Sequence, residues 1–187
     1  MPFDHFDLIA GFYDRAGQFN LTEPLLGLLS LSTNDLLLDA GGGTGRAAMA
    51  LLGMVHEAYV VDISRGMLRR AVGKGLATVC SPAESLPFPS ASFNKILMMD
   101  ALHHVKDQHL TARELWRVLA PGGRILIVEP DIRKLSAKLI AILEKLLLMR
   151  SHFLTGEEIT SLFSAPDVRV GIHYSEFNIF FVAEKIR

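Results

Sequence analysis

The sequence predicts an α/β fold in which a mostly parallel sheet carries helices on both faces. Short apolar runs alternate with segments of helical composition along most of the chain. The runs are almost uninterrupted, as in strands that are buried on both faces. Four of them end on an acidic residue: Asp39, Asp62, Asp100 and Glu129. Because the carboxyl ends of parallel strands meet at one edge, where such sheets bind ligands, we expect these acids to line one rim.

Length and composition favour a single domain. The chain has 187 residues, of which 50% are hydrophobic, enough to bury a sizeable core. A formal net charge of −1 gives no basic surface for nucleic acid or an anionic membrane. Cys80 is the only cysteine, which excludes an internal disulfide and a cysteine-based zinc site. With neither a signal peptide nor an apolar stretch of about 18 residues, we expect a cytoplasmic protein without a membrane span.

Residues 1–31 are predicted to form a helical arm or cap, and residues 32–187 the core, of one domain that spans residues 1–187. Aromatic residues recur at three- to four-residue spacing among aspartates between positions 3 and 19, which indicates a helix with an aromatic face. A second helix is predicted from Thr22 to Leu31, with Pro24 in its first turn. Either the two helices only cover one face of the sheet, or Tyr13 helps to close a ligand cleft.

The first strand, at about residues 35–40, leads into a glycine-rich turn and then a helix at about residues 44–52. Glycines at positions 41, 43 and 45 allow a sharp turn and a close approach of a ligand that a Cβ would block. At the N-terminus of a helix, backbone N–H groups and the helix dipole favour a ligand that carries negative charge. We therefore expect this unit to form the centre of a binding site.

Strands and helices continue to alternate as far as residue 130. Ser64 is the expected N-cap of the helix after the second strand. The segment from residue 81 to residue 92 holds three prolines and is predicted to be a loop. The sequence Pro121-Gly122-Gly123 is expected to end the helix before the fifth strand. The remaining predicted elements are strands at 57–61, 76–80, 94–99 and 124–128 and helices at 64–73 and 108–119.

The last third of the chain is predicted to hold two helices and an antiparallel hairpin. Leucine and isoleucine cover most of a helix at residues 133–149. This helix either packs on the sheet, forms the contact of a homodimer, or lines an apolar substrate pocket. Thr155 and Glu158 have the spacing of a capping box at the start of a short helix. The strands at 168–174 and 177–183 are separated by a short turn and should therefore pair with each other.

Two cofactor classes use a strand, a glycine turn and a helix, and the residues alone leave both open. A dinucleotide-binding turn has the pattern Gly-x-Gly-x-x-Gly, but Arg46 occupies its third glycine position, which disfavours a nicotinamide-dependent oxidoreductase. The glycines follow the pattern Gly-x-Gly-x-Gly instead, and the Gly-Lys-Ser/Thr of a phosphate-binding loop is missing. Asp62 ends the second strand, where a carboxylate can accept hydrogen bonds from both hydroxyls of a ribose.

Several motifs occur in order along the chain and share the spacing of one enzyme family. They are Phe6-Asp-x-Ile-Ala-x-x-Tyr-Asp14, Leu38-Asp-Ala-Gly-Gly-Gly-Thr-Gly45, Val61-Asp-Ile-Ser-x-x-Met-Leu68, Leu86-Pro-Phe-Pro-x-x-Ser-Phe93, Ala101-Leu-His-His-Val-x-Asp107 and Arg117-Val-Leu-x-Pro-Gly-Gly123. Together they resemble the class I S-adenosylmethionine-dependent methyltransferases, in particular the small-molecule, type 11 group with the ubiquinone/menaquinone-biosynthesis enzymes. The resemblance implies a three-layer, Rossmann-like, seven-stranded and mostly parallel sheet whose last strand is antiparallel.

The resemblance also implies a cofactor, S-adenosylmethionine, whose product is S-adenosylhomocysteine. The glycine turn would pack against the methionine part of this cofactor. Asp39 would hold the ammonium group directly or through water, and Asp62 would bind the ribose hydroxyls. Asp100 and Ala101 would lie near the sulfonium.

The adenine site departs from the family pattern. Ile63 and Met67 would face the adenine, and the backbone of Ala83 would meet its edge. Where relatives often have an aspartate for the adenine amino group, this chain has Pro82, and Glu84 is the nearest substitute. The complete predicted cofactor set is Tyr13, Asp39, Ala40, Gly41, Gly43, Gly45, Asp62, Ile63, Met67, Pro82, Ala83, Glu84, Asp100 and Ala101.

Methyl transfer from a sulfonium is a displacement with a good leaving group, so alignment of donor and acceptor can supply most of the catalysis. A base is needed only where the acceptor atom must lose a proton. His103 and His104 are the candidate catalytic residues, although one of them could instead satisfy backbone groups at the strand–helix junction. Their spacing with Asp100 and His109 is unlike an ordinary zinc pattern, so we expect no metal.

The most favoured interpretation is an S-adenosylmethionine-dependent methyltransferase that acts on a small, apolar or aromatic metabolite by in-line transfer. Its expected partner is this small-molecule acceptor, without nucleic acid. The alternative is a non-catalytic regulatory protein that binds S-adenosylmethionine or S-adenosylhomocysteine.

Overall fold

Seven strands form one sheet in the computed structural model, which describes residues 22–146 and 151–186. The predicted helical arm at residues 3–19, with Tyr13, lies outside the described residues. The strands are β1 (Leu36–Ala40), β2 (Glu57–Asp62), β3 (Ala77–Cys80), β4 (Phe93–Met99), β5 (Leu119–Pro130), β6 (Val168–Tyr174) and β7 (Asn178–Lys185).

The strand order is β3-β2-β1-β4-β5-β7-β6. Strands β1 to β5 pair in parallel, whereas β7 is antiparallel to both β5 and β6. The prediction of a mostly parallel, seven-stranded sheet with an antiparallel last strand is therefore confirmed. The order reverses between β1 and β4, and a cleft forms at the carboxyl edge where the chains leave two such strands in opposite directions.

Six α-helices accompany the sheet in the described part of the chain, and local sequence signals explain how three of them begin. Pro24 lies in the first turn of the first helix. The Ser64 hydroxyl accepts the Met67 N–H, and Thr155 and Glu158 form the predicted capping box. The helices are α1 (Glu23–Leu29), α2 (Arg46–Leu51), α3 (Arg65–Gly73), α4 (Gln108–Val118), α5 (Leu135–Leu146) and α6 (Gly156–Ser161).

Successive side chains of the central strands enter two different cores, one on each face of the sheet. Ile96 and Phe181 belong to one core, and their chain neighbours Leu97 and Phe180 belong to the other. Helices α4 and α6 cover the first face, and helices α1, α2 and α3 cover the second. This alternation makes the uninterrupted apolar runs of the sequence necessary, because neither face of a central strand meets water.

The structure differs from the predicted elements at two places. Strand β5 begins at Leu119 rather than near residue 124, because Leu119 pairs with Phe93 before the ladder shifts register. The side chains of Leu135, Leu139 and Ile142 in α5 are each more than half exposed. Of the three alternatives for this helix, packing on the sheet therefore does not hold for these three side chains. No helix within the described ranges combines the length and the apolar character that crossing a membrane requires.

A pair of glycine substitutions tests the packing of the glycine-rich turn against Leu76, which follows α3. Gly45 has a φ of +72°, and an added Cβ would lie 2.3 Å from Leu76 Cδ1. We expect Gly45→Ala to lower the free energy of unfolding by about 2 kcal/mol or more, from the left-handed backbone and the clash together. Urea unfolding monitored by circular dichroism measures this loss.

Gly53→Ala is the matched control, because an added Cβ there meets no atom within 4 Å. We expect it to change the free energy of unfolding by no more than about 0.5 kcal/mol. Equal effects of the two substitutions would contradict the packing described for the turn.

Candidate functional site

Four acidic residues mark the carboxyl edge of the sheet, as the sequence predicts. Asp39 and Asp62 lie in the ends of β1 and β2, Asp100 follows β4, and Glu129 lies in the end of β5. Their environments differ, because Asp39 and Glu129 are buried, Asp62 is half-buried and Asp100 is exposed. At this edge, water can therefore reach Asp62 and Asp100, whereas the buried Asp39 and Glu129 accept backbone N–H groups inside the protein.

The glycine turn after β1 is fastened to the neighbouring strand by backbone hydrogen bonds. The N–H groups of Gly41 and Gly42 donate to the Val61 carbonyl at 2.7 Å and 3.2 Å. Gly43 has a φ of +55°, and an added Cβ there would meet nothing nearer than 3.9 Å. Glycine at position 43 thus serves the left-handed backbone, and the space above it stays open to a ligand.

The carboxylate of Asp62 bridges two turns. Its Oδ2 accepts the N–H of Gly43 at 2.9 Å, and its Oδ1 accepts the N–H of Ser64 at 2.7 Å. These two hydrogen bonds fix the direction of the carboxylate, whose oxygens act only as acceptors. Asp62 is consequently oriented by the protein before any ligand arrives.

Asp39 lies beneath the glycine turn and serves the backbone of α2. Its Oδ2 accepts the Ala48 N–H at 3.2 Å, and an added Cβ at Gly42 would lie within 3 Å of both carboxylate oxygens. Burial raises the pKa of Asp39 to about 7, opposed by the Ala48 hydrogen bond and aided by the charge of Asp62. Asp39 thus helps to anchor the start of α2, and a cation placed nearby would favour its ionised form.

Apolar side chains adjoin the Asp62 carboxylate. Ile63 follows it directly and is 65% exposed, whereas Met67 is buried one turn further along. The nearest neighbours of a Cβ added at Gly43 are Asp62 Oδ2 and Met67 Sδ. An apolar surface next to a hydroxyl-binding carboxylate matches the two parts of a nucleoside.

The loop after β3 is occupied differently from the sequence hypothesis for Glu84. Pro82 is exposed and Ala83 is buried. Glu84 Oε1 accepts the N–H groups of Lys106 and Asp107 at 2.7 Å and 3.2 Å. This oxygen therefore fastens the start of α4, and the assignment of Glu84 to the adenine amino group stays a prediction.

The turn after β4 meets the glycine turn. Asp100 has a φ of +49°, a left-handed conformation that is uncommon outside glycine, and its N–H donates to the Val128 carbonyl. An added Cβ at Gly41 would lie 2.6 Å from the Cβ of Ala101. Ala40 and Ala101 are both buried. The structure thus brings the predicted residues from β1, β2 and β4 to one place.

Glu129 joins β5 to the turn after β4 through three hydrogen bonds. Its Oε1 accepts the N–H groups of Ala101 and Leu102, and its Oε2 lies 2.5 Å from His103 Nδ1. The His103 ring stacks on Phe153 at 4.3 Å between centroids. The sequence places Glu129 at the rim but does not reveal this pairing; the signal for it is a carboxylate at the end of a buried apolar run, which needs partners.

His104 has a different environment. Its Nδ1 lies 3.3 Å from Ser151 Oγ, and its ring is 4.0 Å from that of His103. Burial first, and then the neighbouring His103, lower the pKa of His104 to about 3. His104 is therefore neutral at physiological pH. Within residues 22–146 and 151–186, no three histidine, cysteine or acidic side chains are grouped as metal ligands.

The edge fits the cofactor that the motifs imply. The glycine turn after β1 is open at Gly43. At the end of β2, backbone N–H groups hold the Asp62 carboxylate in one direction, and the exposed, apolar Ile63 lies beside it. S-Adenosylmethionine presents a ribose, an adenine and an amino-acid tail, which need these three kinds of contact. Arg46 replaces the third glycine of the dinucleotide pattern, which disfavours a pyrophosphate at this turn.

Comparison with known proteins finds methyltransferases. The model of a methyltransferase domain family matches residues 38–127. The ubiquinone/menaquinone biosynthesis C-methyltransferase UbiE of Pectobacterium carotovorum is 34% identical over 117 residues, which cover 55% of this chain and 47% of that protein. The demethylmenaquinone methyltransferase of Mycolicibacterium vanbaalenii is 30% identical over 157 residues, which cover 76% of this chain and 68% of that protein.

The fold is also that of solved structures. A chain from the complex between the Haloferax volcanii Trm112 methyltransferase activator and a methyltransferase has a TM-score of 0.84 over 100% of both chains, at 18% identity. At this identity the likeness concerns the fold alone. The match covers about half the length of the UbiE relative.

The raised pKa of Asp39 predicts a pH dependence of stability. The Asp39 carboxyl ionises at about pH 4 in the unfolded chain but only at about pH 7 in the folded protein. Its contribution to the free energy of unfolding is therefore complete below about pH 4 and is lost as the pH rises through about 7. Asp39→Asn keeps an acceptor for Ala48 but cannot ionise. Relative to this variant, the wild type should lose stability between pH 4 and pH 7.

Urea unfolding of both proteins at several pH values measures this difference. We expect the variant to be the more stable protein above pH 7. If the free energies of unfolding of the wild type and Asp39→Asn differ by a constant amount across this range, the raised pKa of the buried Asp39 is contradicted.

Proposed function

Because this chain belongs to the class I S-adenosylmethionine-dependent methyltransferases of the ubiquinone/menaquinone-biosynthesis type, we propose that it transfers a methyl group to a small, apolar or aromatic metabolite. The single observation that carries the proposal is the Asp62 carboxylate, which two backbone N–H groups hold beside the open glycine turn and the exposed Ile63. The name of the Mycolicibacterium vanbaalenii relative, demethylmenaquinone methyltransferase, specifies a quinone acceptor, which supports the class of substrate.

The cofactor-binding residues have separate tasks in this proposal. Asp62 binds the ribose hydroxyls, Ile63 and Met67 contact the adenine, and the backbone of Ala83 meets its edge. The turn from Ala40 to Gly45 holds the amino-acid tail above Asp39. Asp100 and Ala101 border the reacting centre, because Ala101 lies against Gly41.

Alignment is the main contribution of the protein to the reaction. When bound, S-adenosylmethionine supplies a methyl group on a positively charged sulfur. The acceptor atom attacks the methyl carbon on the side opposite the sulfur, and the sulfur leaves as part of a neutral thioether. The turns after β1 and β4 are fixed by Asp62 and Glu129, so the reacting atoms can be held in line with little motion. Such alignment can supply about 7–11 kcal/mol of the barrier in good cases.

His103 is the residue that we assign to proton removal. With its Nδ1 proton directed to Glu129, the other ring nitrogen carries the lone pair that can accept a proton from a phenol, an amine or an acidic carbon. The carboxylate then stabilises the positive charge that the ring acquires. His104 is neutral because of its lowered pKa and contributes a polar contact near Ser151.

The acceptor enters beside the turn after β5 in this proposal. Residues 1–187 form one domain in this proposal. Helix α1, the described part of the predicted arm, packs on the sheet, whereas the role of Tyr13 in closing the cleft stays a prediction, because Tyr13 lies outside the described residues. The exposed Leu135, Leu139 and Ile142 of α5 offer an apolar wall or the contact of a homodimer. The exposed, unpaired Cys80 fits a reducing, cytoplasmic location.

Binding of S-adenosylhomocysteine tests the cofactor site. Asp62→Ala removes the acceptor for both ribose hydroxyls, and a hydrogen bond to a charged group contributes about 1.5–3 kcal/mol. We expect the dissociation constant, measured by isothermal titration calorimetry, to rise by about tenfold or more. Glu57→Ala is the matched control, because Glu57 lies at the opposite end of β2 and is exposed.

The control should bind as tightly as the wild type. Thermal unfolding of each variant separates a lost contact from a lost fold, since Asp62 also holds Gly43 and Ser64. An Asp62→Ala protein that is folded and binds S-adenosylhomocysteine normally would contradict the proposed site, and a wild type that prefers a nicotinamide dinucleotide would contradict the cofactor.

A methyl-release assay over a panel of phenols and quinols tests catalysis. We expect His103→Asn to lower kcat by about 10²- to 10⁴-fold, the usual contribution of a positioned base, with unchanged affinity for S-adenosylhomocysteine. His104→Asn should lower it less than about tenfold, because His104 is not the assigned base. An unchanged rate in folded His103→Asn would show that His103 only satisfies Glu129. A wild type that binds the cofactor and methylates no member of the panel would favour the non-catalytic regulatory alternative.

A further inference from the structure

Arg133 is held rigidly at the rim by a buried acid. Its Nε donates to Asp131 Oδ1 and its Nη2 to Asp131 Oδ2, both at 2.9 Å, in the two-pronged geometry that is strongest for this pair. The Asp131 side chain is fully buried, whereas that of Arg133 is 48% exposed. The Arg133 side chain, which lowers the pKa of Asp131, is thus aimed outward by an acid that the solvent does not reach.

Two other arginines show what a structural arginine does in this protein. Arg117 donates to Glu114 and to the carbonyls of Leu86 and Phe88. Arg124 donates from both terminal nitrogens, to Glu184 and to the Leu28 carbonyl. Both side chains therefore join separate segments of the chain.

Arg133 is different because its hydrogen bonds reach only two residues back along the chain. Within residues 22–146 and 151–186, its Nη1 and the second N–H of Nη2 make no hydrogen bond. These donors are directed away from Asp131 by the planar fork of the guanidinium. They are the donors that a ligand could use.

An aromatic ring holds the guanidinium from one side. The Arg133 Cζ lies 4.1 Å from the ring centroid of Tyr174. A Cβ added at Gly156 would lie 2.5 Å from the Tyr174 hydroxyl, so this hydroxyl packs closely against the start of α6. Two kinds of contact thereby hold the guanidinium: the ion pair with Asp131 and the face of the Tyr174 ring.

Arg133 lies just beyond the carboxyl end of β5, the edge of the sheet that carries the proposed site. Glu129 binds the N–H groups of Ala101 and Leu102, and Arg133 follows it by four residues, or about 14 Å of extended chain at most. The Asp131 N–H donates to the Phe177 carbonyl, which brings the turn between β6 and β7 to the same place. Leu135 and Phe177 are 74% and 55% exposed, so apolar surface adjoins the arginine.

The local charge favours a ligand that is neutral or weakly acidic. Asp131 balances the charge of Arg133, and Glu157 interacts with it as well. A phosphate or another strongly charged anion would be repelled by these two carboxylates. A carbonyl or phenolic oxygen can accept from the guanidinium without such a cost.

We propose that Arg133, positioned by Asp131 and Tyr174, donates hydrogen bonds to a carbonyl or phenolic oxygen on an aromatic methyl acceptor. This assignment rests on the proposed function and specifies its substrate class. The aromatic body of the acceptor lies on the apolar surface near Leu135 and Phe177, and its oxygen faces Arg133. Asp131 is a positioning residue, because it acts through the guanidinium.

A pair of probes that differ by one oxygen tests this proposal. Binding of 1-naphthol and of naphthalene is measured by equilibrium dialysis in the presence of S-adenosylhomocysteine. We expect the wild type to bind 1-naphthol about tenfold or more tightly than naphthalene, the size of one hydrogen bond from a charged donor. Arg133→Gln and Asp131→Asn should reduce this ratio toward one without changing the affinity for naphthalene.

Matched variants separate the contact from charge and from stability. Lys138→Gln removes an exposed positive charge from α5, the helix that follows Arg133, and should leave the ratio unchanged. Arg133→Lys keeps a cation beside Asp131 but lacks the planar fork, so we expect it to lose most of the preference. Thermal unfolding confirms that each variant is folded.

The proposal is overturned if the wild type binds the two probes equally, or if folded Arg133→Gln and Arg133→Lys keep the preference for 1-naphthol. Calorimetry with S-adenosylhomocysteine on the same samples distinguishes this failure from a failure of the proposed function. A wild type that binds S-adenosylhomocysteine but not 1-naphthol refutes the role of Arg133 alone. A wild type that does not bind S-adenosylhomocysteine refutes the proposed function.

Discussion

The site depends on one recurring interaction, in which a carboxylate at the end of one strand binds the backbone N–H groups of the turn after its neighbour. Asp62 of β2 holds Gly43 after β1, and Glu129 of β5 holds Ala101 and Leu102 after β4. Turns leave N–H groups without partners, and such groups are costly to bury. The acids satisfy these groups and fix both turns on either side of the point where the strand order reverses. A carboxylate could not be exchanged for an apolar side chain here without freeing the turn.

Rigidity at this edge has a direct bearing on methyl transfer. Because the leaving group is a neutral thioether that needs no protonation, the alignment of the acceptor with the methyl group is the main contribution of the protein to the proposed reaction. Strands β1 and β4 are adjacent in the sheet, and their turns are in contact through Gly41 and Ala101. The proposed base, His103, is attached to the same carboxylate that holds Ala101. Cofactor side and acceptor side thus share one framework.

Much of the fold follows from local sequence, and much of the site does not. Period and composition predict the strands, and the caps at Ser64 and Thr155 are found where expected because a cap needs only neighbouring residues. Contacts between distant segments leave no such local signal. The pairing of Glu129 with His103 and the use of Glu84 by the start of α4 depend on how the turns pack. The apolar pattern of α5 likewise gives no sign that Leu135 and Leu139 are exposed, because such a pattern is typical of a buried helix.

The most direct test of the account is a crystal structure of the protein with S-adenosylhomocysteine bound. In the proposed site, both ribose hydroxyls lie within hydrogen-bond distance of the Asp62 carboxylate, Ile63 contacts the adenine, and the amino-acid tail crosses the glycine turn above Asp39. A nucleoside bound elsewhere, or a ribose turned away from Asp62, would contradict the central claim that the strand-end carboxylates build the cofactor site.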